Sequence, residues 1–140
     1  MDKVLLDTDV IMDFFFNREP FAEFAIEVLN RCEEGKIKGY TTPVIICNVY
    51  YLLQKTAKHQ LIVEKIKQLL SIIDIVQMNK EVVLDALNSD FNDFEDALQN
   101  YAAIQHSTLN IILTRNIKDF KKSDLGVFTP ETYLKLNTSD

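Results

Sequence analysis

The feature that most constrains this chain is its alternation of short apolar runs with segments of helical periodicity. "KVLL", "GYTT", "SIIDIVQ" and "LNIILT" read as strands, and "GVFTP" as a final short strand or extended piece. Between them lie amphipathic or capped helical segments. "VIMDFFF" follows a cap at Thr8 or Asp9 and is broken by "NREP". Phe21 to Cys32 places Phe21, Phe24, Ala25, Val28 and Leu29 on one helical face. Thr42 caps and Pro43 opens the largely apolar, and therefore mostly buried, helix "VIICNVYYLLQKTA". His59 to Leu70, "NKEVVLDALNS" behind Asn79, "DFNDFEDALQNYAAIQHS" and "ETYLKL" behind Pro130 complete the set. Strands separated by helices imply an α/β sandwich with a mainly parallel sheet. Such sheets take ligands in the crevice beyond the carboxyl ends of their strands.

The length of 140 residues and 47% hydrophobic content suit one domain over 1–140, with a core that needs no disulfide or metal staple. Residues 137–140 read as a short frayed tail. No apolar run approaches the ~18 residues of a membrane span, and no signal-peptide pattern precedes the first strand. Cys32 and Cys47 stand alone, as reduced thiols of a cytoplasmic protein would. His59 and His106 lie far from each other and from paired cysteines, which argues against zinc. Gly35, Gly39 and Gly126 form no phosphate-cradling loop, so a P-loop or dinucleotide fold is excluded. A net charge of −6 argues against non-specific binding to polyanions. A nucleic-acid substrate then requires local basic residues and bound cations to neutralise its phosphates.

Against this background the stretch "VLLDTDVIMDFF" is unusual, because Asp7 and Asp9 interrupt a core-like run. An ionised carboxylate is costly to bury unless it is paired or bound to metal. In one reading Asp7 simply ends the strand and Asp9 caps the helix; in the other, a strand end delivers a metal or catalytic acid. A second cluster, "SDFNDFEDALQ", holds Asp90, Asp93, Glu95 and Asp96. Asp93 suits an N-cap and Asp96 the third helical position of a capping box, with Phe94, Ala97, Leu98 and Tyr101 on the opposite, core-directed face. The combination raises the chemical reading. A parallel sheet brings both clusters to one edge, where gathered carboxylates repel one another without a cation. Hard oxygen ligands of this kind suit Mg²⁺ or Mn²⁺, and a metal so held acidifies water for phosphodiester hydrolysis.

With "LLDTDVIMD", "DFEDALQNYAA" and "ILTRNIKDF" in this order, the chain resembles PIN-domain proteins, a family that includes the VapC-type toxins of toxin–antitoxin pairs. The resemblance spans residues 3 to about 133. It implies a three-layer α/β/α sandwich with a mainly parallel sheet, and an acid cluster that holds Mg²⁺ or Mn²⁺ and cleaves RNA. Residue by residue, Asp7 matches the first family acid, Asp96 the acid that starts the long helix, and Asp93 a frequent extra acid before it. In the last motif Asn116 stands where an acid is common, with Asp119 three residues on, and Thr114 matches a Thr that shapes the site. Asn48 stands where the family usually has a Glu. The resemblance thus implies a ribonuclease in which Asp7, Asp96 and Asp93 bind the cation. Asn48, Asn116 and Asp119 then position water or substrate, and Thr114, Arg115 and Lys118, with Lys121 and Lys122, meet the RNA. It also implies an antitoxin partner and a homodimer. The two amides keep a second function open, a catalytically weakened PIN domain that binds RNA or protein without cutting. The same opening resembles, weakly, the D-x-D start of haloacid-dehalogenase-type phosphatases, but no paired acids follow "IILT". Met12, Cys47 and Tyr50 read as packing residues, as do most of the aromatics at 14–16 and 21–24.

Overall fold

The computed structural model describes residues 1–137; positions 138–140 of the expected tail lie outside the described residues, and Asn137 is the C-cap of the final helix. In chain order the elements are β1 (Lys3–Leu6), α1 (Thr8–Phe15), α2 (Ala22–Glu33), β2 (Lys38–Thr41), α3 (Pro43–Gln54), α4 (His59–Leu70) and β3 (Asp74–Ile75). They continue with α5 (Lys80–Leu87), α6 (Phe94–Gln105), β4 (Ile111–Leu113), a 3₁₀ turn (Ile117–Phe120), β5 (Gly126–Phe128) and α7 (Pro130–Leu136). The strands join in the order β3-β2-β1-β4-β5, and every neighbouring pair is parallel. Alternation along β1 divides the core. Val4 and Leu6 enter a cluster with residues of α1, α2, α3, α4 and α7, whereas Leu5 joins α5, α6 and Phe120 on the other face. This is the expected three-layer α/β/α sandwich.

The chain builds outward from β1 to β2 and β3, then returns to the far side of β1 for β4 and β5. Strand order therefore reverses between β1 and β4, whose ends pair Leu6 with Leu113. A crevice opens at such a reversal. Local signals hold the helices in place around it. Thr42 accepts from Ile45 N at 3.1 Å, Asn79 from Val82 N at 3.1 Å, Asp93 from Asp96 N at 2.9 Å and Thr129 from Thr132 N at 3.1 Å. Close approach matters at Gly39 on β2. A Cβ there would meet Ile73 Cγ2 at 2.7 Å and Cys32 Sγ at 2.8 Å. Among the described residues no helix is long and apolar enough to cross a membrane.

Several local expectations are corrected. The N-cap of α1 is Asp7, not Thr8 or Asp9, because Asp7 is the one residue between the end of β1 at Leu6 and the first helical residue, Thr8. Phe21 precedes α2 and is half exposed, and Phe94 is 48% exposed rather than core-directed. In α3 only Ile45, Val49 and Leu53 are fully buried, and Cys47 and Tyr51 face solvent. The apolar α3 packs mainly on α1 and α4, which leaves Cys47 and Tyr51 on its open side. Met12 is buried as expected, and Tyr50 packs edge-on against His59. "SIIDIVQ" contributes only the two-residue edge strand β3, with Val76 N then donating to Thr41 O at 2.9 Å.

Candidate active site

Because β1 and β4 are parallel neighbours, Asp7 and Thr114 emerge side by side. Asp7 N donates to Leu113 O at 3.0 Å, and the buried Thr114 hydroxyl donates to Asp7 Oδ2 at 2.9 Å. The other oxygen, Oδ1, accepts from Thr8 N at 2.8 Å, the helix-cap contact. Burial raises the Asp7 pKa above its ordinary value, the two hydrogen bonds oppose that rise, and the charges of Asp119 and Asp93 add to it.

The other acids reach the same edge from α6 and the 3₁₀ turn. Asp93 and Asp96 line a cleft of about 250 Å³ with Phe91, Lys118, Asp119 and Lys121. The Asp96 carboxyl is pushed up to about 7, first by burial and then by the charges of Asp93, Asp7, Asp119 and Glu95. Asp93 caps α6 through Asp96 N, so the expected capping contact and the acid cluster coexist in the same residues. Lys122 Nζ donates to Asp90 O at 2.7 Å, which pins the basic turn against the loop before α6. Asn48, reaching from α3, donates through its amide to Glu95.

On the far side of Asp7, Asp9 and Asp13 form a different arrangement. Asp9 Oδ2 accepts from Arg115 N at 3.0 Å and from Asn116 Nδ2 at 3.3 Å. Burial and then the Asp7 charge push its pKa up to about 6, while Arg115 pulls it down. Its Oδ1 is buried with no hydrogen-bond partner. Asp9 is therefore an anchor of the Thr114–Asn116 turn rather than the expected cap. One turn on, the buried Asp13 binds Arg115 in a fork, Nε at 2.8 Å and Nη2 at 3.1 Å. Arg18 lies 3.8 Å from the same carboxylate, and the Phe21 ring covers the Arg115 guanidinium at 4.0 Å.

Known proteins complete this picture. The model of the PIN domain matches residues 3–118. The chain belongs to the PIN-domain family. It is 29% identical over 137 residues to Ribonuclease VapC1 of Aquifex aeolicus (strain VF5), covering 94% of this chain and 93% of that protein. Its fold matches a toxin–antitoxin complex from Klebsiella pneumoniae with a TM-score of 0.68 at 22% identity, over 91% of this chain and 97% of that one. VapBC-1 from nontypeable Haemophilus influenzae superimposes with a TM-score of 0.67 at 14% identity, over 92% and 98%.

The donor chemistry of this PIN domain fits a hard divalent cation. Asp7, Asp93, Asp96 and Asp119 offer carboxylate oxygens, and the charges of Asp93 and Asp119 raise the pKa values of Asp7 and Asp96, as like charges do when no cation offsets them. Among the described residues no three His, Cys, Asp or Glu side chains already converge into an ion cage. Of the residues read from sequence, Asp7, Asp93, Asp96, Asp119, Thr114 and Lys118 share the edge, Asn48 joins through Glu95, and Asn116 joins through Asp9. The Arg115 side chain instead turns to Asp13. The sequence reading gave Glu95 no role, and it missed Asp13 as well. A carboxylate between Met12 and Phe14 in an apolar run was the available signal for Asp13; a partner 47 positions away left none for Glu95.

Proposed function

We propose that this PIN domain is a divalent-cation-dependent ribonuclease that works in the cytoplasm as a single-domain toxin, as a homodimer, paired with an antitoxin protein. The observation that carries the reading is the meeting of Asp7, Asp93, Asp96 and Asp119 at one lysine-rimmed strand edge. Two names support it, the ribonuclease VapC1 and the toxin–antitoxin complexes that share the fold. Asp7, Asp96 and Asp93 are the residues that would hold Mg²⁺ or Mn²⁺. When bound, the cation supplies Lewis-acid polarisation of a phosphodiester oxygen and a more acidic water.

The chain's own groups supply the rest. Thr114 fixes one Asp7 oxygen, so that the carboxylate faces the crevice in a single orientation. Asp119, exposed in the cleft, and Asn116 position the attacking water and the substrate. Lys118 and Lys121 line the acid cleft and receive RNA phosphates, with Lys122 beside them. The Arg115 guanidinium, closed on Asp13, contributes by shaping the turn that presents Asn116. The test is RNA cleavage by rigorously purified protein with Mg²⁺ or Mn²⁺, against chelator and an Asp7→Asn/Asp96→Asn variant purified identically. The expected result is cleavage that needs both cation and carboxylates. Equal cleavage by the variant would remove the assignment, and cation-dependent RNA binding without products would make the chain a binding module.

A further inference from the structure

The α3 side of the acid edge carries no carboxylate of its own, because position 48 is an amide. The Asn48 side chain is not idle. Its Nδ2 donates to Glu95 Oε1, across 47 residues of sequence and between two helices. Glu95 sits in the first turn of α6, where an acid ordinarily serves the helix dipole and points into water. Here the side chain is drawn toward α3 instead, and its charge reaches both Asp93 and Asp7. A lysine or arginine at position 48 would neutralise Glu95 as an ion pair. An amide fixes a carboxylate oxygen and leaves its charge intact. The arrangement therefore accepts added repulsion among four neighbouring acids in return for a negative charge of fixed position. That cost has no purpose in a merely structural contact, and it has one where a cation offsets the charge.

We infer that Glu95, positioned by the Asn48 amide, supplies the carboxylate charge on the α3 side of the cation site. Asn48 is thus a positioning residue that acts through Glu95. The inference rests on the reading of the Asp7–Asp96 edge as a cation site. It also explains how a chain with amides at 48 and 116 retains enough negative charge at that edge.

The experiment is titration with Mn²⁺ alone, followed by electron paramagnetic resonance of free Mn²⁺, with RNA cleavage as a second readout. Wild type is compared with Glu95→Gln, with the exchanged pair Asn48→Glu/Glu95→Gln, and with Asp7→Asn/Asp96→Asn. Circular dichroism melts confirm that each variant is folded, and Glu95→Gln, isosteric and at an exposed position, preserves the helix. Glu95→Gln is expected to weaken Mn²⁺ binding about tenfold, the usual scale for loss of a supporting group beside a metal. The exchanged pair keeps one amide and one carboxylate in contact, with the charge on α3, and is expected to regain most of that affinity. A structural cap on α6 would not be rescued by a charge on another helix. Wild-type affinity in Glu95→Gln, or no recovery in the exchanged pair, overturns this inference alone. Unchanged affinity in Asp7→Asn/Asp96→Asn overturns the cation-site reading beneath it.

Discussion

Two groups of charge flank the first turns of α1. On one side Asp13, almost wholly buried, meets Arg115 in a two-pronged contact, with Arg18 nearby and Phe21 laid over the guanidinium. On the other side Asp7, Asp93, Asp96 and Asp119 face one another with no guanidinium between them, and the Asp96 carboxyl is driven up to about 7. The first group is buried and the second opens to solvent through Asp93 and Asp119, and only the first is electrostatically complete. A completed pair locks the α1 helix to the turn after β4. An incomplete group stores repulsion that a cation relieves. The difference separates charge that organises this fold from charge held ready for a ligand.

The comparison is broken most severely by Asp13→Ala. It strands the Arg115 guanidinium beside a buried gap, and removing one partner of a buried ion pair costs about 3–5 kcal/mol. Arg115 is partly exposed and can recover some hydration, so a loss of about 3 kcal/mol in urea unfolding is expected. On the open side the reverse holds. Asp7→Asn/Asp96→Asn removes repulsion and is expected to unfold, in chelator, at the same urea concentration as wild type or higher. A smaller change comes from Phe21→Ala, which uncovers the guanidinium but leaves its ion pair. Loss of the ring's cation–π and apolar contact is expected to cost about 1–2 kcal/mol, read by the same melts.

The smallest effect is a pH slope. Asp96 and Asp9 carry pKa values raised from 3.8 to about 7 and about 6 in the folded chain. Between the unfolded and folded values the native state binds more protons, so these groups stabilise it most at the acid end. In chelator, their contribution is expected to be fully present below about pH 4 and lost as pH rises toward 7. Partial exposure screens the effect and keeps it modest. Saturating Mg²⁺ is expected to remove the Asp96 part of the slope, because that carboxylate is then held in its charged form. A slope that persists unchanged in Mg²⁺ would mean that the open group does not meet the cation.

Much of the scaffold was legible because its signals are short-range. Thr42 before Pro43, Asn79 before a helical run, and Asp93 three positions before Asp96 each state a helix start within a few residues. Asp7 was legible as a strand-end acid for the same reason. Boundaries failed where strand and helix signals meet, as at Asp7, which directly follows β1 and caps α1. Exposure failed at Phe21, Phe94 and Cys47, since periodicity names a face and not the neighbour that covers it.

The sequence by itself determined an α/β chain with a parallel sheet, the helix caps at Thr42, Asn79 and Asp93, and the two acid-bearing segments, Asp7 after a strand and Asp93 to Asp96 at a helix start. Periodicity, capping and turn chemistry act over one or two turns, and those features need nothing more. Only the tertiary structure decided which acids remain uncompensated. Strand order set β1 beside β4 and so closed Asp13 on Arg115, 102 positions away. The packing of α3 near the start of α6 brought Asn48 to Glu95. Whether a carboxylate is neutralised depends on which charge stands a few ångströms away in space, and adjacency in space between distant segments is fixed by the order of the sheet.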